Sequence, residues 1–205
     1  MTGAGLMLMS EDVPQGSVCT TNRVSALIED LQYELGEGPC VDAHHQNQPV
    51  LEPDLAAPST ARWLGFTQPA VDAGVRAIFG FPLRVGAIRL GALNLYCDQP
   101  GELTDEQHAD ALVMADVAAQ AILMLQANAA PGEVASELDA GAHFHGRVHQ
   151  ASGIVAVQLD ISVGQALIRL RAHAFGNSRG LDDVARDVVD GSLRFDSREE
   201  KDSTP

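Results

Sequence analysis

The front part of the chain combines short apolar runs with one helical pattern. Apolar runs at residues 4–9 and 17–20 predict two strands, and Pro14–Gly16 between them predicts a turn. A helix is predicted over residues 25–35 because apolar side chains recur there at helical spacing. The apolar positions of this helix are Leu27, Ile28, Leu31 and Leu35.

The clearest strand pattern covers residues 75–97. Two apolar runs, Val75–Val85 and Ile88–Cys97, are separated by a short turn at Gly86. Neighbouring strands joined by a tight glycine turn are typical of antiparallel sheets. Gly91 lies inside the second run and predicts a β-bulge or the close approach of another backbone.

A long helix is predicted from Thr104 to about Ala127. Thr104 and Gln107 have the spacing of a capping box, in which each side chain accepts a hydrogen bond from the other residue's backbone N–H. Apolar side chains form one wide stripe along this helix. We interpret the stripe as a core-facing surface, with a contact to a second subunit as the alternative. It consists of Val113, Val117, Ala121 and Met124, widened by Leu112 and Leu123.

Three short amphipathic helices are predicted in the C-terminal part. The first covers His143–Leu159, the second begins after Ser162 and ends at Gly176, and the third covers Leu181–Val189. Ser162 and Gln165 repeat the capping-box spacing. The inward positions are Phe144, Val148, Ala151 and Val155 in the first helix, Val163, Leu167, Leu170 and Ala174 in the second, and Leu181, Val184, Ala185 and Val188 in the third.

These patterns predict an α+β fold in which an antiparallel-sheet domain is followed by a small all-α three-helix module. The 205 residues are enough for one medium domain and one small one. We place the first domain at residues 1–127, a linker at 128–140, the helical module at 141–195 and an acidic, disordered tail at 196–205.

The chain is acidic overall, with a formal net charge of -15. Residues 1–130 contain 16 acidic and 5 basic side chains, whereas residues 141–195 contain 5 acidic side chains and 6 basic ones, all of them arginines. The acidity therefore lies mostly in the first domain. The helical module is the part of the chain that suits a nucleic-acid partner.

Cellular location is predicted from what the sequence lacks. The N-terminus has no signal-peptide pattern, and apolar runs are interrupted before they reach membrane-spanning length. Cys19, Cys40 and Cys97 are widely spaced and odd in number, which favours reduced thiols. We expect a cytoplasmic protein without a membrane contact.

Two parts of the first domain resemble a known family. The segment Leu35–Ala43, with the sequence LGEGPCVDA, is similar to the signature of GAF domains in actinobacterial GAF–ANTAR regulators. Residues 74–96, especially Phe81–Leu83 and Leu90–Leu95, resemble the central GAF hairpin. The resemblance implies a sheet with flanking helices and a sensor role, with a small-molecule ligand possible but unidentified.

The helical module resembles an ANTAR domain over nearly its full length. The similarity lies in residues 148–153, 163–175 and 183–189. It differs at Ser152, where the family often has a basic residue, and at Leu167, where an aromatic residue is common. The resemblance implies a dimeric regulator of transcription antitermination that binds structured RNA stem-loops.

The resemblance also assigns the candidate RNA-binding residues. Arginine suits this role because its guanidinium group binds phosphates with forked donors and stacks on bases. Arg169 and Arg171 point to different faces of one helix, so we expect only one of them to meet RNA. The candidates are Arg147, Gln150, Ala151, Gly153, Arg169, Arg171, Arg179 and Arg186.

Each candidate also has a simpler interpretation. The arginines are alternatively surface charges paired with Asp182, Asp183 and Asp187, and the small residues Ala151 and Gly153 alternatively serve close helix packing. His143, His145 and His149 suggest a metal site, but no third close ligand completes a set at His145 and His149. We therefore expect neither a metal nor a cofactor.

No motif in the sequence indicates catalysis, so we expect no enzyme. Two other functions remain open. The chain is alternatively a protein-interaction or ligand-sensing module without RNA binding, or, less favoured, a GAF-fold redox enzyme that uses its cysteines. DNA binding is disfavoured, because no helix is rich in the basic and amide side chains of a recognition helix.

Overall fold

The computed structural model describes residues 1–10, 13–58, 62–127 and 143–196. It divides into two units, residues 1–144 and residues 145–205. The predicted linker at 128–140 lies outside the described residues, as does the predicted tail apart from Asp196.

The first unit is built on an antiparallel six-stranded sheet among the described residues. Its strand order is β3-β4-β5-β1-β2-β6, and every neighbouring pair is antiparallel. The predicted central hairpin is confirmed as the pair β4–β5. The strands are β1 (Gly3–Ser10), β2 (Val13–Thr20), β3 (Val50–Glu52), β4 (Ala77–Val85), β5 (Ile88–Cys97) and β6 (His143–Phe144).

Gly91 marks the closest approach between the central strands, as the sequence predicted. Its φ is 158°, and a Cβ atom built there would lie 1.9 Å from the backbone oxygen of Met7 on β1. The β4–β5 register also shifts opposite it, between Leu83 and Arg84. Glycine is therefore required at this position by both backbone conformation and space.

Two helices cover one face of the sheet. Helix α1 (Arg23–Leu35) packs on β1 and β2, and α2 (Pro39–Gln46) packs on β4 and β5. Asn22 and Ser25 form a capping box at the start of α1. A short helix, α3 (Thr67–Asp72), precedes β4.

The opposite face is covered by the long helix α4 (Asp105–Gln126), which begins with the predicted Thr104–Gln107 capping box. The predicted core-facing stripe is wrong. The side chains that α4 buries are Ala111, Ala115, Ala119 and Ile122.

The predicted stripe points outward instead. Val113 and Val117 are each 61% exposed, and Met124 is 72% exposed. The reason is steric. The sheet already presents large side chains such as Phe79, Phe81 and Leu93 to α4, so the helix packs on them through its smallest residues.

Helix α4 also has the length and composition of a membrane span. Its most apolar window has a mean hydropathy of 1.4, with 22% of that window buried. Core helices of water-soluble proteins satisfy the same criterion, and the alanine face of α4 lies in the core of the first unit.

The second unit is a three-helix arrangement of α5 (Gly146–Leu159), α6 (Val163–Gly176) and α7 (Leu181–Val189). The Ser162–Gln165 capping box forms as predicted. The first helix begins later than predicted, because His143 and Phe144 form β6. The predicted inward residues from Val148 to Val188 are buried, except Val163, which is 51% exposed in the first turn of α6. The first two of these helices together also have the length and composition of a membrane span, although they are bent by 104° at the break between them.

Candidate functional site

The segment between α1 and α2 forms a tight turn on one face of the sheet. Gly36 ends α1 in the left-handed conformation, and its N–H donates to the backbone oxygen of Gln32. Gly38 has φ of 134°, and a Cβ atom there would lie 2.6 Å from Gln32 Oε1. That oxygen accepts the backbone N–H of Cys40 at 2.7 Å and so caps the start of α2.

The acidic residues of the same motif hold the loop before α3. Glu37 Oε1 accepts backbone hydrogen bonds from Gly65 at 2.6 Å and from Phe66 at 3.0 Å. Asp42 Oδ2 accepts from Trp63 Nε1 at 3.0 Å. The motif at Leu35–Ala43 therefore fixes the backbone around α2. Its acidic residues Glu37 and Asp42 are spaced so that both accept hydrogen bonds from the loop before α3.

A buried polar cluster lies between α1, α2 and the sheet. Asn94 Nδ2 on β5 donates to Glu29 Oε1 at 2.7 Å, and both side chains are buried. Glu29 Oε2, Asn94 Oδ1 and Gln32 Nε2 are buried without a hydrogen-bond partner. Gly5 on β1 leaves room for the cluster, since a Cβ atom there would lie 2.2 Å from Glu29 Oε1.

The environment of Glu29 favours its neutral form. Burial raises the pKa of Glu29 to about 8; the hydrogen bond from Asn94 opposes this shift and the nearby charge of Asp30 adds to it. Glu29 is thus mostly protonated at neutral pH.

The three cysteines are free thiols in different settings. Burial raises the pKa of Cys40 well above its usual value, and the charge of Glu29 raises it further. Burial and Glu29 also raise the pKa of Cys19. Cys97 packs against the α4 face of the sheet, opposite to Cys40 on α2. Raised pKa values make Cys19 and Cys40 weak nucleophiles at neutral pH.

An open hollow lies on the α4 side of the sheet. It has a volume of about 400 Å³ and is lined mainly by the start of β1 and by α4. Ala4 and Leu95 form its sheet wall, and Ala111 and Met114 form its helix wall. It is on the opposite face from the Glu29 cluster, so the two do not form one site.

In the second unit, three of the predicted RNA-binding arginines are in ion pairs. Arg147 contacts Asp182 at 2.6 Å, and Arg179 contacts Asp187 at 2.7 Å. Arg186 contacts Asp183 at 2.8 Å and Asp182 at 3.4 Å. These contacts correspond to the alternative interpretation as paired surface charges. They lower the positive potential around α7.

The remaining predicted RNA-binding residues occupy different positions. Arg169 and Arg171 lie on α6, and that helix contains no acidic residue. Ala151 is fully buried in the helical core, so its role is in packing. Gln150 is exposed, and Gly153 is half-buried with open space around its Cα. The structure therefore places Ala151 in the core, Arg169 at the surface and Arg171 in a half-buried position.

The histidines do not gather into a metal site in the described part of the chain. His145 precedes α5 and His149 lies in its first turns. Within the described ranges, no group of three or more His, Cys, Asp or Glu side chains has the arrangement of a metal site.

A family model for the GAF domain matches residues 2–123. The chain belongs to the GAF domain family. The match ends within α4, so the second unit lies outside it and its resemblance to ANTAR domains stays a prediction.

Solved structures resemble the GAF unit at low sequence identity. A domain of a protein described as a two-component sensor histidine kinase from Sinorhizobium meliloti is 18% identical, with a TM-score of 0.49 over 61% of this chain and 80% of that one. A type II free methionine-R-sulfoxide reductase from Thermoplasma acidophilum is 17% identical, with a TM-score of 0.45 over 58% of this chain and 76% of that one. The GAF domain region of a protein described as a membrane protein from Geobacter sulfurreducens is 15% identical, with a TM-score of 0.49 over 60% and 82%. A comparison with curated protein sequences finds no match.

The buried cluster of the GAF unit was not predicted from the sequence. Glu29 and Gln32 are buried on α1, among the apolar positions from which this helix was predicted. In contrast, the apolar residue Leu27 of the same helix is 43% exposed. One signal was present, because Ser25, Glu29 and Gln32 recur three and four residues apart, which places them on one helical face. Asn94 inside an apolar strand was the matching signal on β5.

Proposed function

We propose that the chain is a sensor-coupled RNA-binding regulator that acts in transcription antitermination. In this proposal the GAF unit receives the signal and the second unit binds an RNA stem-loop. The observation that carries the RNA proposal is the charge of the second unit, whose residues 145–195 contain six arginines and five acidic side chains in an otherwise acidic chain. Stem-loops expose unpaired bases beside a dense array of phosphates, which suits such a unit.

The homodimer of this proposal is formed through α4. Val113, Val117 and Met124 form an exposed apolar stripe on the helix face away from the sheet. A stripe of this kind loses its contact with water when two copies pair. Two copies would place two helical modules in one particle, so that two stem-loops are held together.

The RNA proposal is tested with the full chain and a pool of RNA hairpins that share one stem and carry randomised loops. We expect retention of a subset of hairpins and a fall in affinity as salt rises, because phosphate contacts release counterions. Crosslinking the full chain to cellular RNA gives a second, independent measurement. A folded dimer that retains no hairpin and crosslinks to no transcript refutes the proposal.

A second candidate is a protein-interaction or ligand-sensing module without RNA binding. The ion pairs of Arg147, Arg179 and Arg186 with aspartates favour it, as does the net charge of -15. The hairpin pool distinguishes the two candidate functions, because a module without RNA binding retains no hairpin at any salt concentration.

An enzymatic role is not part of our proposal. The redox alternative needs a reactive thiol pair, and burial raises the pKa of both Cys19 and Cys40. A search for methionine sulfoxide reduction by the full chain, with Cys40→Ser as the comparison, tests this. Turnover that disappears in Cys40→Ser would establish the redox enzyme.

A further inference from the structure

The segment before α3 holds the single tryptophan of the chain in an unfavourable backbone conformation. Trp63 has a φ of 56°, which lies in the left-handed region. Bulky side chains are rarely found there, because the Cβ atom crowds a carbonyl oxygen of the backbone. Strain of this kind disfavours a conformation about 5- to 150-fold unless the surrounding contacts hold it. We call residues Arg62–Phe66 the strap.

Two carboxylates of the motif between α1 and α2 hold the strap in place. Glu37 Oε1 accepts the backbone N–H groups of Gly65 and Phe66, at 2.6 and 3.0 Å. Asp42 Oδ2 accepts the indole N–H of Trp63 at 3.0 Å. Hydrogen bonds to charged acceptors are stronger than those between neutral groups, so these three contacts offset the strain of the backbone.

Arg62 both supports and opposes this closed position. Its Cζ atom lies 4.3 Å from the centre of the Trp63 ring, and its Nη2 atom lies 3.4 Å from Oε2 of the buried Glu52 on β3. Its Nε atom is buried and makes no hydrogen bond within the described ranges. A buried donor without an acceptor costs free energy. The closed strap therefore carries two unfavourable features, the Nε atom and the backbone of Trp63.

We propose that the strap is a latch, which opens as one unit while the sheet stays folded and which the carboxylates of Glu37 and Asp42 keep closed. On opening, Trp63 leaves the left-handed region and its ring withdraws from α2. Strained conformations that persist only through surrounding contacts are typical of switch regions. The open latch uncovers the Asp42 side of α2, so the GAF unit presents a different surface in each state. This inference concerns the GAF unit alone and does not depend on RNA binding.

The latch is tested first in the wild-type full chain by hydrogen exchange measured with NMR. Three N–H groups report on the strap, the indole N–H of Trp63 and the backbone N–H groups of Gly65 and Phe66. If the strap opens as one unit, the three groups share one free energy of opening. That value is expected to stay constant at urea concentrations below global unfolding, because a local opening exposes little surface. The amides of the central strand β1 provide the reference for global unfolding.

Variants of the two carboxylates test whether the ends of the strap are coupled. Glu37→Gln weakens the hydrogen bonds to Gly65 and Phe66, and we expect it to raise the opening constant of the Trp63 indole N–H about 10-fold. Asp42→Asn is expected to raise the opening constant of Gly65 and Phe66 by a similar factor, since coupling is reciprocal. Acrylamide quenching of fluorescence gives a second measurement of opening, because Trp63 is the only tryptophan.

Asp72→Asn is the matched control. The Asp72 carboxylate is exposed on α3 and accepts a hydrogen bond from Gln68 of the same helix, so this variant is expected to leave both measurements unchanged. Circular dichroism and the thermal midpoint verify the fold of every variant.

Three results contradict the latch. Different free energies of opening for the three N–H groups in the wild type mean that each contact breaks independently. Exchange of these groups only through global unfolding means that the strap is a fixed part of the fold. A Glu37→Gln variant that loses global stability, while Trp63 stays protected below the unfolding transition, likewise shows a structural contact in place of a latch.

Discussion

Glu29 and Asn94 are hydrogen-bonded in the interior of the GAF unit, with Asn94 Nδ2 and Glu29 Oε1 2.7 Å apart. The second oxygen of Glu29 is buried and has no hydrogen-bond partner. Ionisation of Glu29 would place a negative charge in the protein interior, away from water. Burial therefore raises the pKa of Glu29 to about 8.

The first prediction concerns the pH dependence of stability. The pKa of Glu29 is about 8 in the folded chain and near its ordinary value of 4.5 in the unfolded chain. Between these values the folded state binds the extra proton, so the free energy of unfolding falls as pH rises, by up to about 1.4 kcal/mol per pH unit. We expect Glu29→Gln to remove this slope, as measured by urea denaturation across that pH range.

The control for this prediction is Glu34→Gln, which makes the same chemical change elsewhere on α1. It is expected to keep the wild-type slope. The charge near Glu29 is that of Asp30 on the same helix, while the nearby thiols of Cys19 and Cys40 have raised pKa values and are neutral over this pH range. An identical pH slope in the wild type and in Glu29→Gln contradicts the assignment.

The second prediction concerns Gly91. A methyl group at this position collides with the backbone oxygen of Met7 and also requires an unfavourable φ. We expect Gly91→Ala to lower the free energy of unfolding by more than about 3 kcal/mol, since the strand backbones must separate. Gly146→Ala is the control, because a Cβ atom there meets open space. Equal stability of the two variants would falsify the close approach.

The third prediction concerns the outward stripe of α4. We expect Val117→Glu to convert a dimer into monomers that keep the fold, because a charge replaces an apolar side chain at the centre of the contact. Sedimentation measures the mass, and circular dichroism measures the fold. Leu64→Glu changes an exposed leucine outside the stripe and is expected to leave the dimer intact. A Val117→Glu dimer of wild-type affinity places the subunit contact elsewhere.

The fourth prediction compares Arg147 and Arg179, which pair with aspartates, with Arg171 on α6. Arg147→Gln and Arg179→Gln each remove an exposed ion pair, so we expect losses of stability below about 1 kcal/mol and little change in hairpin affinity. Arg171→Gln is expected to weaken hairpin binding and its salt dependence. Filter binding over a salt series measures both quantities. Equal losses of affinity from all three variants would instead indicate a diffuse electrostatic contact.

Features set by local sequence were predictable. The capping boxes at Thr104 and Ser162 depend on side chains three residues apart, and both form. The constraint at Gly91 was also predictable from the local sequence, because an isolated glycine in a strand usually marks a bulge or a close backbone approach. The antiparallel hairpin followed from two apolar runs and a short turn.

Features that depend on tertiary partners were not predictable. The orientation of α4 was assigned by apolar size, but the space beside Phe79 and Phe81 is filled mainly by alanines of this helix. The pairing of Arg147 with Asp182 was predicted only as an alternative, because it joins residues 35 positions apart and helical periodicity does not decide it. The partnership of Glu29 with Asn94 likewise exists only after the sheet has formed.

Helix α4 has a buried alanine face and an exposed apolar face on separate sides. The distance between this helix and the sheet is set by small side chains, so a larger residue at Ala115 would push the layers apart. Val113 and Val117, on the side of α4 that faces away from the sheet, do not affect the distance between the helix and the sheet. Substitutions at Val113 or Val117, which are exposed, are therefore expected to alter the surface of the GAF unit while its layered architecture is kept.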